Sequence, residues 1–203
     1  MKASSVITAL ALSAATSQAA IVWSGVQDIA IPAATGPGAG LDGVYLDILS
    51  GFSTTSADDS FTSTDVNFFL GGAAIRSDDD FLPVRAGTDA DSSVVNLLPG
   101  TSVDISSVFG PDSTGVSDDH LGSLSGQFVS GEEGYLGFAF SDNGGSDMYG
   151  WMRVTLTSNG TGTIHEWAYE DAAGDAIIVG VIPEPSAALL SLLSLGALLR
   201  RKR

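Results

Sequence analysis

The sequence predicts an all-β protein, an antiparallel β-sandwich or jelly-roll domain flanked by two short terminal segments of different composition. From Ala20 onward, short apolar runs alternate with clusters of Gly, Ser, Thr, Asp and Asn, which is the pattern of strands joined by turns. No apolar stretch in this part keeps the 3.6-residue period of an amphipathic helix. Eleven short candidate strands between Ala20 and Ile182 favour two packed antiparallel sheets, and the lack of strong internal repeats disfavours a solenoid or propeller.

Each candidate strand is an apolar run that ends at such a turn-forming cluster. The last of them should end the domain near Gly180, because Pro183 and Pro185 fix φ, lack an N–H and cannot continue a strand. In chain order the candidates are Ile21–Trp23, Gln27–Ile31, Val44–Leu49, Asp65–Leu70, Phe81–Arg85, Ser93–Leu98, Gly126–Ser130, Tyr135–Phe140, Trp151–Thr157, Thr163–Tyr169 and Ala176–Val179.

The clearest local unit is a hairpin around Asn159-Gly160, the preferred pair for a type I′ turn because both positions need positive φ. Gly162 leaves open a longer loop with a slipped register. With a two-residue loop, the cross-strand pairs are Ser158 with Thr161, Arg153 with Glu166, and Met152 with Trp167. The core face then carries Met152, Val154, Leu156, Trp167 and Tyr169, and the other face carries Arg153, Thr155 and Glu166, with Trp151 partly covered.

The N-terminal segment has the three parts of a secretory signal peptide. Lys2 supplies a positive charge, and an apolar run of ten residues spans Val6 to Ala15. Small residues at Ser17 and Ala19 predict cleavage between Ala19 and Ala20. Residues 1–19 are therefore expected to be removed on export; the alternative is an N-terminal helix buried in the domain.

The C-terminal segment, residues 183–203, also has three parts. Pro183, Glu184 and Pro185 precede an apolar helix over residues 186–199, and the chain then ends in four consecutive cations, Arg200, Arg201, Lys202 and Arg203. The apolar run from Ala187 to Leu199 spans roughly 20 Å as a helix, which is short for a bilayer core of about 30 Å. Long basic side chains reach the interface and thin the bilayer locally, so a short transmembrane helix with its basic end in the cytoplasm is predicted. The alternative is a buried core helix with a basic tail.

This order of motif, helix and basic end resembles the PEP-CTERM sorting signal of Gram-negative bacteria. The resemblance covers Pro183 to Arg203 and implies that Pro183, Glu184 and Pro185 are recognised by an exosortase, a membrane cysteine transpeptidase that removes the tail. The stretch from Gly134 to Gly180 resembles the C-terminal half of many PEP-CTERM surface proteins, through Tyr135-Leu-Gly-Phe-Ala-Phe140, Tyr149-Gly150-Trp151, Trp167-Ala168-Tyr169-Glu170 and the closing Gly-x-Ala-Ile. That second resemblance implies a β-sandwich ectodomain over residues 20–182 and assigns no activity.

The charge of this ectodomain restricts its partners. It holds 23 acidic residues against three arginines, a net charge of −20, while the whole chain carries −16. Such a field repels DNA, RNA and anionic lipid, so nucleic-acid binding is not expected. The chain has no Cys, which excludes disulfides and thiolate chemistry.

No catalytic or metal site is predicted. Two histidines, His120 and His165, are too few for a zinc site, and no Gly-x-Ser-x-Gly elbow precedes a helix, although a Ser–His–Asp triad needs no motif. Glu132 and Glu133 are neighbours and would point to opposite faces of a strand, so they are a poor glycosidase pair. The acidic loops are read as solvated turns, with Ca²⁺ binding as the alternative. They are Asp58-Asp59, Asp78-Asp79-Asp80, Asp89 with Asp91, Asp118-Asp119 and the segment from Asp142 to Asp147.

The expected function is therefore that of an exported, non-enzymatic protein without a cofactor. It would be anchored in the inner membrane before an exosortase processes it, and would then act at the cell surface or in the extracellular matrix, with exopolysaccharide as a candidate partner. The alternative is a carbohydrate- or calcium-binding surface module, and a weaker one is a secreted glycan-active enzyme.

Overall fold

In a computed structural model, the described part of the chain is built from antiparallel β-sheets and contains no helix. The all-β prediction is therefore confirmed for these residues. The structure describes residues 20–33, 43–55, 64–69, 74–77, 81–88, 92–109, 121, 126–141, 145, 147–157 and 161–182.

Thirteen strands lie within these ranges. In chain order they are β1 (Ile21–Trp23), β2 (Ile29–Ile31), β3 (Val44–Leu46), β4 (Ser53–Thr54), β5 (Val66–Phe69), β6 (Ala74–Ser77), β7 (Phe81–Pro83), β8 (Asn96–Leu97), β9 (Ser102–Val103), β10 (Glu133–Phe140), β11 (Met148–Leu156), β12 (Gly162–Glu170) and β13 (Ile177–Ile178). The strands β10, β11 and β12 have eight or nine residues each and are much longer than the others, so they form the centre of the fold.

The strands form three sheets. The largest has the order β1-β12-β11-β10-β7, with β2 paired to another part of β12 and β8 to another part of β10. A four-stranded sheet has the order β4-β3-β5-β6, and β9 and β13 form a two-stranded sheet. Because β11 lies between β10 and β12 along its length, its backbone hydrogen bonds are satisfied on both sides.

The first apolar core brings together one face of the seven-stranded sheet and residues of the four-stranded sheet. Alternate residues of the long strands supply it, as period-2 patterning requires. Its aromatic centre includes Phe138, which stacks on Phe81 with ring centroids 4.9 Å apart. The core face predicted for the hairpin is confirmed, because Met152, Val154, Leu156, Trp167 and Tyr169 all belong to this cluster.

A second apolar core covers part of the opposite face of the seven-stranded sheet. Val103 of β9 and Ile177 of β13 pack there with Trp151 of β11. The prediction that Trp151 is only partly covered is wrong, since 1% of it is exposed. Alternation assigned Trp151 to the outer face correctly, but it carried no information about the small sheet that lies over that face.

The hairpin between β11 and β12 has the predicted register at one end only. Arg153 pairs with Glu166 and Met152 with Trp167, as predicted. The pairing then shifts by one residue, so that Val154 pairs with Ile164 and His165 is the extra residue of a β-bulge. Thr161 accepts a hydrogen bond from the backbone N–H of Thr157, one residue before its predicted partner Ser158, which lies outside the described residues.

Other corrections concern short elements. The segment Gly126–Ser130 is not a strand, since only Phe128 makes an isolated bridge, with Leu121. The strand predicted over Gln27–Ile31 begins only at Ile29, because Asp28 has a positive φ of 49° and interrupts the edge. Three short strands, β4, β6 and β9, were not predicted, because two to four residues carry too little periodicity to be distinguished from a loop.

The described residues do not include the two terminal segments, which are the predicted signal peptide (residues 1–19) and the predicted sorting signal (residues 183–203). The last strand, Ile177–Ile178, falls within the predicted Ala176–Val179. Within the described ranges, no helix has the length and apolar character needed to cross a bilayer.

Candidate functional site

Of the residues predicted to take part in sorting and processing, only Ala20 lies in the described part of the chain. Its backbone N–H donates to Asp171 Oδ1 at 2.8 Å, and its carbonyl accepts from the N–H of Asp171 at 3.2 Å. Ala20 is thus attached to the end of β12. The remaining nominated residues, Ala19, Pro183, Glu184, Pro185, Arg200, Arg201, Lys202 and Arg203, lie outside the described residues.

A different group of polar side chains is brought together on the outer face of the seven-stranded sheet, beside the part that β9 and β13 cover, with Tyr135 at the boundary between the two parts. We call this group the polar shelf. It consists of Trp23, Asp28, Glu133, Tyr135, Arg153, Thr155, His165 and Glu166. The hairpin register predicted only the Arg153–Glu166 pair, and nothing in the sequence associates the other strands with it.

Arg153 is the centre of the polar shelf. Its Nε donates to Glu166 Oε1 at 2.9 Å and its Nη1 to Glu133 Oε1 at 2.7 Å, so the guanidinium joins three adjacent strands. The side chain of Arg153 is 18% exposed and that of Glu133 58%. Burial by itself lowers the pKa of Arg153, but the hydrogen bond and charge of Glu166 and the charge of Glu133 outweigh burial and leave that pKa above its ordinary value. Arg153 therefore carries its positive charge at physiological pH.

His165 connects the bulge to the neighbouring edge. Its Nδ1 lies 2.7 Å from Asp28 Oδ1 and its Nε2 lies 2.9 Å from Thr155 Oγ1. Asp28 has the left-handed backbone conformation that carboxylate and amide residues tolerate better than most, and that conformation accompanies its contact with His165. Backbone hydrogen bonds from Gln27 and Asp28 to the carbonyl of His165 hold the edge segment opposite the bulge.

The order Thr155–His165–Asp28 has the connectivity of a nucleophile, base and acid triad. Acyl transfer also needs backbone or side-chain donors aimed at the developing oxyanion. Thr155 lies in β11, whose backbone groups are engaged by strands on both sides, so this strand offers no free N–H beside the hydroxyl. The contacts of His165 with Asp28 and Thr155 hold the bulge in place.

Trp23 is the aromatic member at the edge of the sheet. Its Nε1 donates to Glu166 Oε2 at 2.9 Å, while the residue remains 38% exposed. Trp23 also borders a cavity of about 170 Å³ between β1 and the segment around Ile48, with Trp167 and Tyr169 among its lining residues. Trp167 Nε1 donates to the carbonyl of Ile48 at 3.0 Å and thereby closes the inner side of that cavity.

The calcium alternative finds no support in the described ranges, where no three His, Cys, Asp or Glu side chains are grouped as metal ligands. Most of the acidic loops lie outside these ranges, and so does His120. Asp147 is described, and it lines an open cavity of about 400 Å³ beside Tyr149. Burial, with the charges of Asp147 and Asp104, raises the pKa of the Tyr149 phenol.

No protein-family model matches this chain, and neither the curated proteins nor the solved structures contain a match to it. The residues and geometry of the chain itself therefore carry the functional argument.

Proposed function

We propose that this chain is the precursor of an exported, non-enzymatic cell-surface or extracellular-matrix protein, sorted by an exosortase through a C-terminal PEP-CTERM signal. The observation that carries the proposal is the order of Pro183-Glu184-Pro185, an apolar stretch and four terminal cations, in a chain that also begins with a signal-peptide pattern. The two predicted signals support each other, since a C-terminal sorting handle acts only on an exported chain.

One structural fact supports the predicted N-terminal boundary of the ectodomain. Ala20, the predicted first residue of the mature protein, is hydrogen-bonded to Asp171 at the end of a central strand. The proposal includes a β-sandwich ectodomain, and the apolar core to which the seven- and four-stranded sheets both contribute supports it.

Mass spectrometry of the protein recovered from the native host tests this proposal. The expected mature form begins at Ala20 and lacks Arg200 to Arg203. The variant Glu184→Gln alters the sorting motif at constant size and should leave the basic tail attached and the protein in the inner membrane. Glu132→Gln, an exposed residue of the ectodomain, is the matched control and should be processed normally. Recovery of Arg200 to Arg203 on most wild-type surface molecules would refute the sorting claim.

A further inference from the structure

The outer face of the seven-stranded sheet carries a row of side chains that spans four adjacent strands. Tyr135 of β10 lies opposite Arg153 of β11, and Arg153 lies opposite Glu166 of β12. Trp23 of β1 extends the row, since its indole N–H is bonded to Glu166. Three interstrand spacings of about 4.8 Å separate β1 from β10, so the row is roughly 14 Å long with an aromatic residue at each end.

The row is rigid before any ligand arrives. The indole nitrogen of Trp23 is already bonded to Glu166, so the exposed part of its ring system presents carbon to solvent. Arg153 is fixed by two carboxylates, and among the described hydrogen bonds none uses its Nη2 group. Tyr135 is half-buried against the second core and contacts buried Trp151 edge to face, with centroids 5.7 Å apart. Side chains held in this way lose little conformational entropy on binding.

The chemistry of the row matches one class of ligand. A pyranose has a face of C–H groups, which packs on an aromatic ring, and a rim of hydroxyls, which bond to carboxylate oxygens and guanidinium N–H groups. The separation of the two aromatic residues corresponds to about three sugar units. The ectodomain charge of −20 repels uronate- or sulfate-bearing polymers and leaves neutral glycans as the compatible class.

We propose that the polar shelf binds a neutral pyranose glycan of about three units, which stacks on Trp23 and Tyr135 and hydrogen-bonds to Arg153, Glu133 and Glu166 between them. The inference rests on the proposed function for its biological setting, because export places the shelf where extracellular glycans occur. Binding itself is a property of the ectodomain surface. A failure of sorting and a failure of glycan binding are therefore separate results.

The test uses the full-length chain in a detergent without a sugar headgroup, titrated with cellotriose, maltotriose, mannotriose and xylotriose. Alginate, a polyanionic glycan, is included for comparison. Calorimetry is expected to show binding of at least one neutral trisaccharide and none of alginate. Trp23→Ala should weaken that binding at least tenfold, whereas Phe52→Ala, which removes an exposed aromatic residue outside the shelf, should leave the affinity unchanged.

Two further variants keep the test decisive if Trp23→Ala does not fold. Trp23→Phe keeps an aromatic ring and should bind within a few-fold of wild type, while Arg153→Lys keeps the charge but loses the planar fork and should bind more weakly. Circular dichroism verifies that each variant is folded. The proposal is overturned if no neutral trisaccharide binds at millimolar concentration, if alginate is the only ligand, or if the folded shelf variants bind as well as wild type.

Discussion

Replacement of Gly150 by alanine should destabilise the protein by overpacking the first core. Gly150 lies in β11 between Phe138 of β10 and Tyr169 of β12. A β carbon at this position would lie 2.5 Å from Phe138 Cε2, even closer to Phe138 Cζ, and 2.8 Å from the carbonyl oxygen of Ala168. Real β carbons essentially never approach other atoms below 3.0 Å, so one of these neighbours must move.

Neither neighbour moves easily. The Phe138 ring stacks on Phe81 at 4.9 Å and contacts Phe140 at 5.8 Å, and the Ala168 carbonyl belongs to a paired backbone. Overpacking of this kind costs about 1–3 kcal/mol. At about 2–4 °C per kcal/mol for a chain of this size, the Gly150→Ala variant should melt about 2–12 °C below wild type.

Thermal and urea unfolding of the purified mature protein measure this effect, and a double-mutant cycle identifies its cause. Phe138→Leu removes the ring atoms that the new methyl would meet and destabilises the protein by itself. If the clash is responsible, the two substitutions together should be less destabilising than the sum of their separate effects by about 0.5–3 kcal/mol. Additive effects, or a Gly150→Ala variant as stable as wild type, would refute the steric explanation.

Two predictions concern the end of β12. Burial raises the pKa of the Glu170 carboxyl, and the charges of Asp171 and Asp175 add to that shift, so the folded state binds this proton more tightly than the unfolded chain. The stability from Glu170 is thus fully present below the ordinary carboxyl pKa and is lost as pH rises through the raised pKa of the folded state. Glu170→Gln should therefore be more stable than wild type at neutral pH, and its melting temperature should vary less with pH. If thermal unfolding from about pH 4 to 8 shows the same slope for both proteins, Glu170 is not the group responsible. Signal-peptide cleavage would turn the Ala20 amide, whose nitrogen lies 2.8 Å from Asp171 Oδ1, into an ammonium group that pairs with this carboxylate. Asp171→Asn should therefore lower the melting temperature of the mature protein by about 1–3 °C more than that of the uncleaved precursor. Equal shifts in the two forms would show that no ion pair forms on maturation.

Local patterning predicted the elements whose partners are close in sequence. The β11–β12 hairpin has its predicted Arg153–Glu166 pair and its predicted core face, because alternation of side chains and a nearby turn are both properties of one short segment. The same argument failed after Arg153, because a single extra residue at His165 shifts the pairing. A bulge depends on what the neighbouring edge can accommodate, in this case Asp28 in its left-handed conformation, and that edge is far away in the sequence.

The sequence by itself determined that residues 20–182 are β-rich and strongly acidic, and it carries the terminal motifs on which the sorting proposal depends. Only the tertiary structure decided which parts of the outer sheet face are covered and which are open. Trp151 and Arg153 lie on the same side of β11, yet Trp151 is buried beneath β9 and β13, whereas the Arg153 side chain in the polar shelf keeps 18% of its surface exposed. Periodicity indicates which side of a strand a residue occupies. It does not indicate which other segments cover that side, and here these are the strands that contain Val103 and Ile177. Trp23 and Glu133 likewise reach Arg153 and Glu166 only through strand pairing across the whole domain.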